Sequence, residues 1–121
     1  MTQTIRKVAI IGGSRIPFAR SNTAYSQASN QDMLTAALNG VIGKFNLEGE
    51  RMGEVVAGAV AKHAHDASLT RESVLDTELS AQTPCCDIQQ ACGTGLEATI
   101  LVANKIALGQ IDSGIAGGSD S

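Results

Sequence analysis

The sequence predicts an α/β fold in which strands and helices alternate in the order β-α-β-α-β-α-β around a mostly parallel sheet. Short apolar runs, bounded mostly by glycine or proline, recur at residues 7–12, 54–60, 86–90 and 113–116. Longer stretches with apolar residues at helical spacing lie between these runs. Strands that alternate with helices favour parallel pairing through right-handed crossovers. No segment repeats within the 121 residues, so we predict one unit.

The first strand and the first helix have clear boundary signals. Residues 7–12 form an apolar run that ends in glycines, which is typical of a buried strand. Ser29 or Asn30 can cap the helix that follows, and Asp32 favours its positive end. The apolar residues of this helix recur at helical spacing: Leu34, Ala37, Leu38, Val41, Ile42 and Phe45.

The middle of the chain predicts a strand, a loop and a second helix. Residues 54–60 form the strand, and the loop that follows, from Lys62 to Ala67, contains both histidines. Ser68 or Asp66 is expected to cap the helix, which we place from Leu69 to Leu79. Thr83 and Pro84 then interrupt the chain before a strand at Cys86–Gln90.

The last helix follows a glycine-containing turn that carries Cys92. From Leu96 to Leu108 the apolar residues run almost all the way round, which predicts a buried helix. Gly109 is the expected stop, and residues 113–116 are the last strand. Gly93 and Gly95 allow the backbone to bend sharply before the helix.

Cys92 is the candidate nucleophile of the chain. Unpaired N–H groups and the positive dipole at a helix N-terminus favour an anion, and the thiolate is the nucleophilic form of cysteine. The alternative is that Cys92 is a small core residue, because free cysteine is often fully buried. The local pattern leaves both interpretations open.

Composition excludes several classes of partner and compartment. The net charge is −3, with 43% hydrophobic and 17% charged residues, and no basic stripe predicts nucleic-acid binding. No apolar run is long enough to span a membrane, so no membrane partner is expected. Three cysteines, of which Cys85 and Cys86 are adjacent, predict no disulfide framework and a reducing, cytoplasmic location.

Four stretches of the sequence carry motifs of one known family. Residues 91–98, Ala-Cys-Gly-Thr-Gly-Leu-Glu-Ala, resemble the nucleophile signature of the thiolases, the acetyl-CoA acetyltransferase family. The other three agree with it in order and spacing: 15–18, 68–71 and 114–121. The variants of the pattern at 30–33 and 89–92 are most similar to actinobacterial acetyl-CoA acetyltransferases.

The resemblance implies a thiolase-like fold, with residues 1–121 forming the N-terminal portion of the thiolase N-terminal domain. It implies that Cys92 carries an acyl group as a thioester and that its backbone N–H forms half of an oxyanion hole. The substrates would be acetyl-CoA and other acyl-CoA thioesters, in a Claisen condensation or thiolysis that needs no cofactor and no metal. It further implies a homodimer or homotetramer, in which the strand Cys86–Gln90 pairs with its twin across a two-fold axis.

Two further residues are expected to have structural roles. The resemblance makes Arg71 a structural anchor near the active-site loops rather than a solvated helix residue. Asp120 is expected to end a strand and to hydrogen-bond in the turn beyond it.

The other catalytic motifs of the thiolases do not occur in these 121 residues. Gly-His-Pro, Cys-x-Gly and Asn-Glu-x-Phe are absent, and His63 and His65 match no family motif. We therefore expect the 121 residues alone to be inactive. Two alternatives stay open: a ketoacyl synthase of the same fold, and a non-catalytic piece that works with a partner chain.

Three other types of site fit the sequence poorly. A dinucleotide loop after the first strand fails because Ser14 and Pro17 stand where glycines are needed. An α/β-hydrolase elbow fails because Gln90 and Thr94 stand where it requires glycine. A zinc site would need a poor ligand set without Cys-x-x-Cys: His63, His65, Cys85, Cys86 and Cys92.

Overall fold

The computed structural model describes residues 4–61 and 67–120. These residues form, in chain order, α1 (Asn30–Phe45), β1 (Glu54–Ala57), α2 (Leu69–Leu75), β2 (Cys85–Asp87), α3 (Thr94–Ala107) and β3 (Gly114–Ala116). The strands pair in parallel in the order β2-β1-β3, with Val55 level with Cys85 on one side and with Ile115 on the other. The predicted α/β class and parallel sheet are confirmed, although the strands are shorter than predicted.

Helices cover both faces of the sheet because β1 alternates its side chains between two cores. Val55 and Ala57 pack with the apolar residues of α1 and α2, among them Leu38 and Leu69. Val56 points the other way and packs with α3. β1 is therefore the centre of a three-layer arrangement that leaves β2 and β3 as the edges of the sheet.

Helix α1 begins at the predicted cap. The hydroxyl of Ser29 accepts a hydrogen bond from the Asp32 N–H at 3.0 Å, and the Asp32 carboxylate accepts one from the Ser29 N–H at 3.0 Å. This capping box satisfies two backbone donors at once and stabilises a helix by about 0.5–2 kcal/mol. The helix ends at Phe45, and the capping residue Asn46 has a φ of 56° in the left-handed region.

Helix α2 is capped in a way that the sequence did not predict. Ser68 makes no side-chain capping hydrogen bond, and Asp66 lies outside the described residues. Instead, the Asp87 carboxylate at the end of β2 accepts hydrogen bonds from the N–H groups of Leu69 and Thr70, at 3.0 and 2.8 Å. The helix also ends at Leu75, four residues earlier than predicted.

Helix α3 ends at the predicted glycine. Gly109 has a φ of 78°, which only glycine adopts without strain. Its N–H donates to the Ile106 carbonyl at 3.0 Å, and the Gln110 N–H donates to the Lys105 carbonyl at 2.9 Å. This pair of hydrogen bonds is a Schellman motif.

The prediction that α3 is buried all round is wrong. Ala98 and Val102 are buried against the sheet, whereas the side chains of Leu96 and Ile100 are 68% and 43% exposed. The sheet covers only one side of the helix.

No helix in the described parts of the chain is long and apolar enough to cross a membrane.

The predicted first strand is also wrong. Residues 7–12 pair with no strand of the described sheet, and the side chains of Ile10 and Ile11 are 83% and 84% exposed. Both edges of β1 are taken by β2 and β3, so only an outer edge of the sheet could pair with this segment, and the segment lies on the side of β3. A cleft of about 590 Å³ lies between the two. An apolar run predicts a strand but does not supply its hydrogen-bonding neighbour.

Contacts on either side of this cleft hold the first segment in place. The Arg6 N–H donates to the Ala107 carbonyl at 3.0 Å, and its guanidinium pairs with Asp112 at 2.8 Å. Further along, the Lys44 ammonium donates to the Gly13 carbonyl at 3.1 Å. The segment therefore lies along the C-terminal ends of α3 and α1 instead of joining the sheet.

Candidate active site

Cys92 lies in the turn between β2 and α3, two residues before the first helical residue, Thr94. Its side chain is exposed, whereas Cys85 and Cys86 are half-buried. The predicted position, just before a helix N-terminus, is confirmed. The alternative that Cys92 is a buried core residue does not agree with its exposure.

The turn that carries Cys92 has an unusual backbone and side chains that brace it. Ala91 has a φ of 47°, a left-handed conformation that costs an L-residue roughly 1–2 kcal/mol. The Ala91 N–H donates to the side-chain oxygen of Gln89 at 3.0 Å. The Thr94 hydroxyl accepts from the Gln90 N–H at 2.9 Å and donates to the Ala91 carbonyl at 2.7 Å. Local hydrogen bonds therefore offset the strain of the turn.

Glycines at the ends of the strands allow the turn to sit close to the sheet. A Cβ on Gly58, directly after β1, would collide with the Ile88 carbonyl oxygen and lie 3.0 Å from the Thr94 methyl. A Cβ on Gly118, shortly after β3, would lie 3.2 Å from the Gly58 carbonyl oxygen. The sequence did not predict that these two glycines support the turn. Gly58 lies inside the predicted strand 54–60, and a glycine within a strand pattern is the signal that could have indicated such a close approach.

Asp120 fixes a neighbouring loop. Its carboxylate accepts hydrogen bonds from the N–H groups of Val60 and Ala61, at 2.7 and 3.2 Å. Asp120 therefore holds the chain that leaves β1, and the chain that follows Asp120 lies outside the described residues. Its partners lie about sixty residues away in the sequence, beyond the reach of local pattern.

Arg71 anchors the chain before β2, while its expected place near the active-site loops stays a prediction. Its guanidinium donates to the carbonyl groups of Thr83 and Ala81, at 3.0 and 2.6 Å, and lies 4.0 Å from the Cys85 sulfur. These hydrogen bonds tie α2 to the loop that leads into β2. They also leave Arg71 at Cys85 and not among the residues that brace the Cys92 turn.

The protein environment disfavours a thiolate at Cys85. Burial raises the pKa of the Cys85 thiol, and the negative charges of Asp87 and Glu54 raise it further, against the opposing effect of Arg71. The Cys85 thiol donates to the Thr83 carbonyl at 3.4 Å. Cys85 is therefore a poor candidate for the nucleophile.

The motif at 15–18 lies at a second cleft. Arg15, Pro17 and Phe18 line a cavity of about 280 Å³ together with Gly118 and Asp120, and Cys92 is not among its lining residues. The structure therefore brings the first motif to the 114–121 motif rather than to the cysteine.

No group of three metal-binding side chains occurs within residues 4–61 and 67–120. Two members of the zinc alternative, His63 and His65, lie outside the described residues.

Comparison with known proteins identifies the family. The sequence model of the family "Thiolase, N-terminal domain" matches residues 8–121. The chain belongs to the thiolase family. The thiolase match covers the strand–turn–helix unit around Cys92 and the two glycines, Gly58 and Gly118, that allow its close approach to the sheet.

Individual thiolases are similar over nearly the whole chain. A 3-ketoacyl-CoA thiolase of Shewanella sp. (strain W3-18-1) is 35% identical over 115 residues, which is 95% of this chain and 26% of that protein. A 3-ketoacyl-CoA thiolase of Vibrio cholerae is 34% identical over 120 residues, which is 99% of this chain and 28% of that protein. The chain thus spans about a quarter of the length of these relatives.

A solved structure shows the same fold. The acetyl-CoA acetyltransferase of Bacillus anthracis superimposes with a TM-score of 0.89 at 21% identity, over 97% of this chain and 30% of that one. The expected thiolase-like fold of an N-terminal portion is therefore confirmed.

Proposed function

We propose that this protein is a thiolase that transfers acyl groups between coenzyme A thioesters through an acyl-enzyme on Cys92. The observation that carries the proposal is the exposed thiol of Cys92 in a braced turn before α3, in a chain of the thiolase family. The 3-ketoacyl-CoA thiolases to which the chain is similar support acyl-CoA thioesters as the substrates.

The first chemical step follows from the position of the thiol. The Cys92 sulfur, as a thiolate, attacks the carbonyl carbon of an acyl-CoA, and the sulfur–acyl bond forms as the bond to coenzyme A breaks. The coenzyme A thiolate leaves with the electron pair and takes up the proton that the Cys92 thiol released. The backbone N–H of Cys92 supplies half of the oxyanion hole for the negative charge on the carbonyl oxygen.

The second step is attack on this acyl-enzyme by the carbanion of acetyl-CoA, or thiolysis in the reverse direction. We propose that the base for this step and most of the coenzyme A contacts come from residues other than these 121, because the Gly-His-Pro, Cys-x-Gly and Asn-Glu-x-Phe motifs do not occur in them. The family match favours a thiolase over a ketoacyl synthase. Similarity to the actinobacterial acetyl-CoA acetyltransferases stays a prediction, and so does assembly as a homodimer or homotetramer.

The proposal predicts that acetyl-CoA labels Cys92 and leaves the other cysteines free. The full-length protein is mixed with acetyl-CoA for a short time, quenched in acid, and digested for mass spectrometry. We expect an increment of one acetyl group on the peptide that contains Cys92. Cys92→Ala abolishes the increment, because no other exposed thiol lies in the described residues.

Cys85→Ala is the matched control, since it removes a half-buried thiol with a raised pKa and should leave acetylation nearly intact. Acetyl groups on Cys85 or Cys86, with Cys92 unmodified, would contradict the proposal.

A further inference from the structure

The hydroxyl of Thr94 binds the backbone of the two residues directly before Cys92. It accepts a hydrogen bond from the N–H of Gln90 at 2.9 Å, two residues before the cysteine. It donates to the carbonyl of Ala91 at 2.7 Å, directly before the cysteine. Thr94 itself opens α3, directly after Gly93, so one side chain joins the helix start to the turn.

The position of Thr94 is itself fixed by packing. The residue is only 4% exposed, although Cys92, two residues earlier, is open to solvent. The Thr94 methyl faces Gly58 so closely that a Cβ there would stand 3.0 Å from it. The buried methyl and the two hydrogen bonds of the hydroxyl leave the side chain of Thr94 one orientation. The position of the turn therefore depends on the position of the sheet.

The conformation of the turn needs such a brace. Ala91 has a φ of 47°, a region that alanine visits rarely and that glycine occupies without strain. If Ala91 relaxed to a negative φ, the peptide group between Ala91 and Cys92 would rotate. The thiol and the N–H of Cys92 would then point elsewhere.

We propose that Thr94 is a positioning residue for Cys92, whose hydroxyl holds Ala91 in the left-handed conformation that aims the thiol and the Cys92 N–H at the acyl carbonyl. This inference rests on the proposed function, because its effect is expressed in acyl transfer. Thr94 touches no reacting atom. It acts through the backbone of residues 90–92.

The test compares two reactions of the same thiol in the full-length protein. Acetylation by acetyl-CoA needs both the thiol and the oxyanion donor in place, whereas alkylation by iodoacetamide needs only an accessible thiol. We expect Thr94→Val, which keeps the branched shape but removes the hydroxyl, to slow acetylation by roughly 10- to 100-fold and alkylation by less than about threefold. Thr94→Ser keeps the hydroxyl, so it should acetylate at a rate much closer to that of the unmodified protein than Thr94→Val does.

A second substitution tests the mechanism of the brace. Ala91→Gly removes the strain at this position. Thr94→Val should therefore slow acetylation less in a protein that already carries Ala91→Gly. In the unmodified protein, site-resolved hydrogen exchange of the Gln90 amide should be at least about tenfold slower than in an unfolded peptide. This measurement tests the hydrogen bond from Gln90 to Thr94 even if Thr94→Val does not fold.

Each outcome has a distinct meaning. Equal acetylation by the unmodified protein and Thr94→Val, equal losses in both reactions, or a Gln90 amide that exchanges freely would each overturn the positioning role while leaving the thiolase proposal intact. Failure of the unmodified protein to acetylate Cys92 would overturn the proposed function, and the role of Thr94 with it.

Discussion

At the scale of single residues, the three cysteines differ because the sheet and the turn place them in three environments. Cys85 packs with the cluster under α1 and α2, and Cys86 packs with the cluster under α3. Cys92 lies beyond the strand and is exposed. Neighbouring positions in the sequence thus have unlike chemistry, which makes the cysteines useful probes of the site.

The raised pKa of Cys85 predicts that the stability of the protein depends on pH. Its pKa in the folded protein is raised above the ordinary value of 9.0, mainly by burial, so the folded state holds the proton more tightly than the unfolded state. The stability that this provides is fully present below pH 9 and is lost as the pH rises through the folded pKa. Urea unfolding under reducing conditions at pH 7, 9 and 10.5 measures the effect.

Cys85→Ala is the control for this prediction, because it removes the titrating group and leaves Cys86 and Cys92 in place. The loss of stability between pH 9 and pH 10.5 should be smaller in the variant than in the unmodified protein. A loss of equal size in both would show that Cys85 contributes nothing to it.

At the scale of single elements, α2 depends on a residue from another element. The two hydrogen bonds from its first N–H groups to Asp87 are charge-assisted and join the helix to the end of β2. We expect Asp87→Ala to lower the free energy of unfolding by about 1–3 kcal/mol, and Asp87→Asn by less, since the amide keeps one acceptor oxygen. Urea unfolding measures both variants.

The matched control for Asp87 is Glu48→Ala, which removes an exposed carboxylate outside every helix and strand. It should change stability by less than about 0.5 kcal/mol. Equal effects of the two substitutions would mean that Asp87 contributes to stability only through its charge.

Two glycines predict opposite responses to the same substitution. At Gly58, a Cβ would collide with the Ile88 carbonyl oxygen, so Gly58→Ala must push β2 or the Cys92 turn away and should cost about 2 kcal/mol or more. At Gly43, inside α1, a Cβ meets no atom within 4 Å, so Gly43→Ala should stabilise the protein by about 0.5–1 kcal/mol. Thermal unfolding of the two variants would reveal the opposite signs, and the same sign for both would contradict the packing at Gly58.

At the scale of the whole molecule, the described chain leaves apolar surface and sheet edges uncovered. Ile10, Ile11 and Leu96 are all exposed, and β2 and β3 each have one free edge. Free strand edges and large apolar patches promote association. The isolated 121 residues should therefore self-associate, with a light-scattering mass that rises with concentration. A monodisperse monomer of 12.4 kDa at all concentrations would contradict this prediction.

The sequence by itself determined those features that depend on residues a few positions apart. The capping box of Ser29 and Asp32, the stop at Gly109 and the place of Cys92 before a helix all rest on contacts within about one helical turn. Periodicity likewise identified α1 and the central strand β1. Such features were predictable because the interacting groups are close along the chain, so their pattern is visible in the order of residues.

Only the tertiary structure decided the features that join distant residues. Asp87 caps a helix eighteen residues upstream, and Asp120 binds the chain sixty residues before it. Residues 7–12 have the composition of a strand, but pairing requires a free strand edge within hydrogen-bonding distance, and a cleft separates them from β3. The brace of Thr94 on the Cys92 turn also depends on Gly58, whose missing Cβ allows the close approach. The sequence shows which groups are able to interact, whereas the fold determines which of them come into contact.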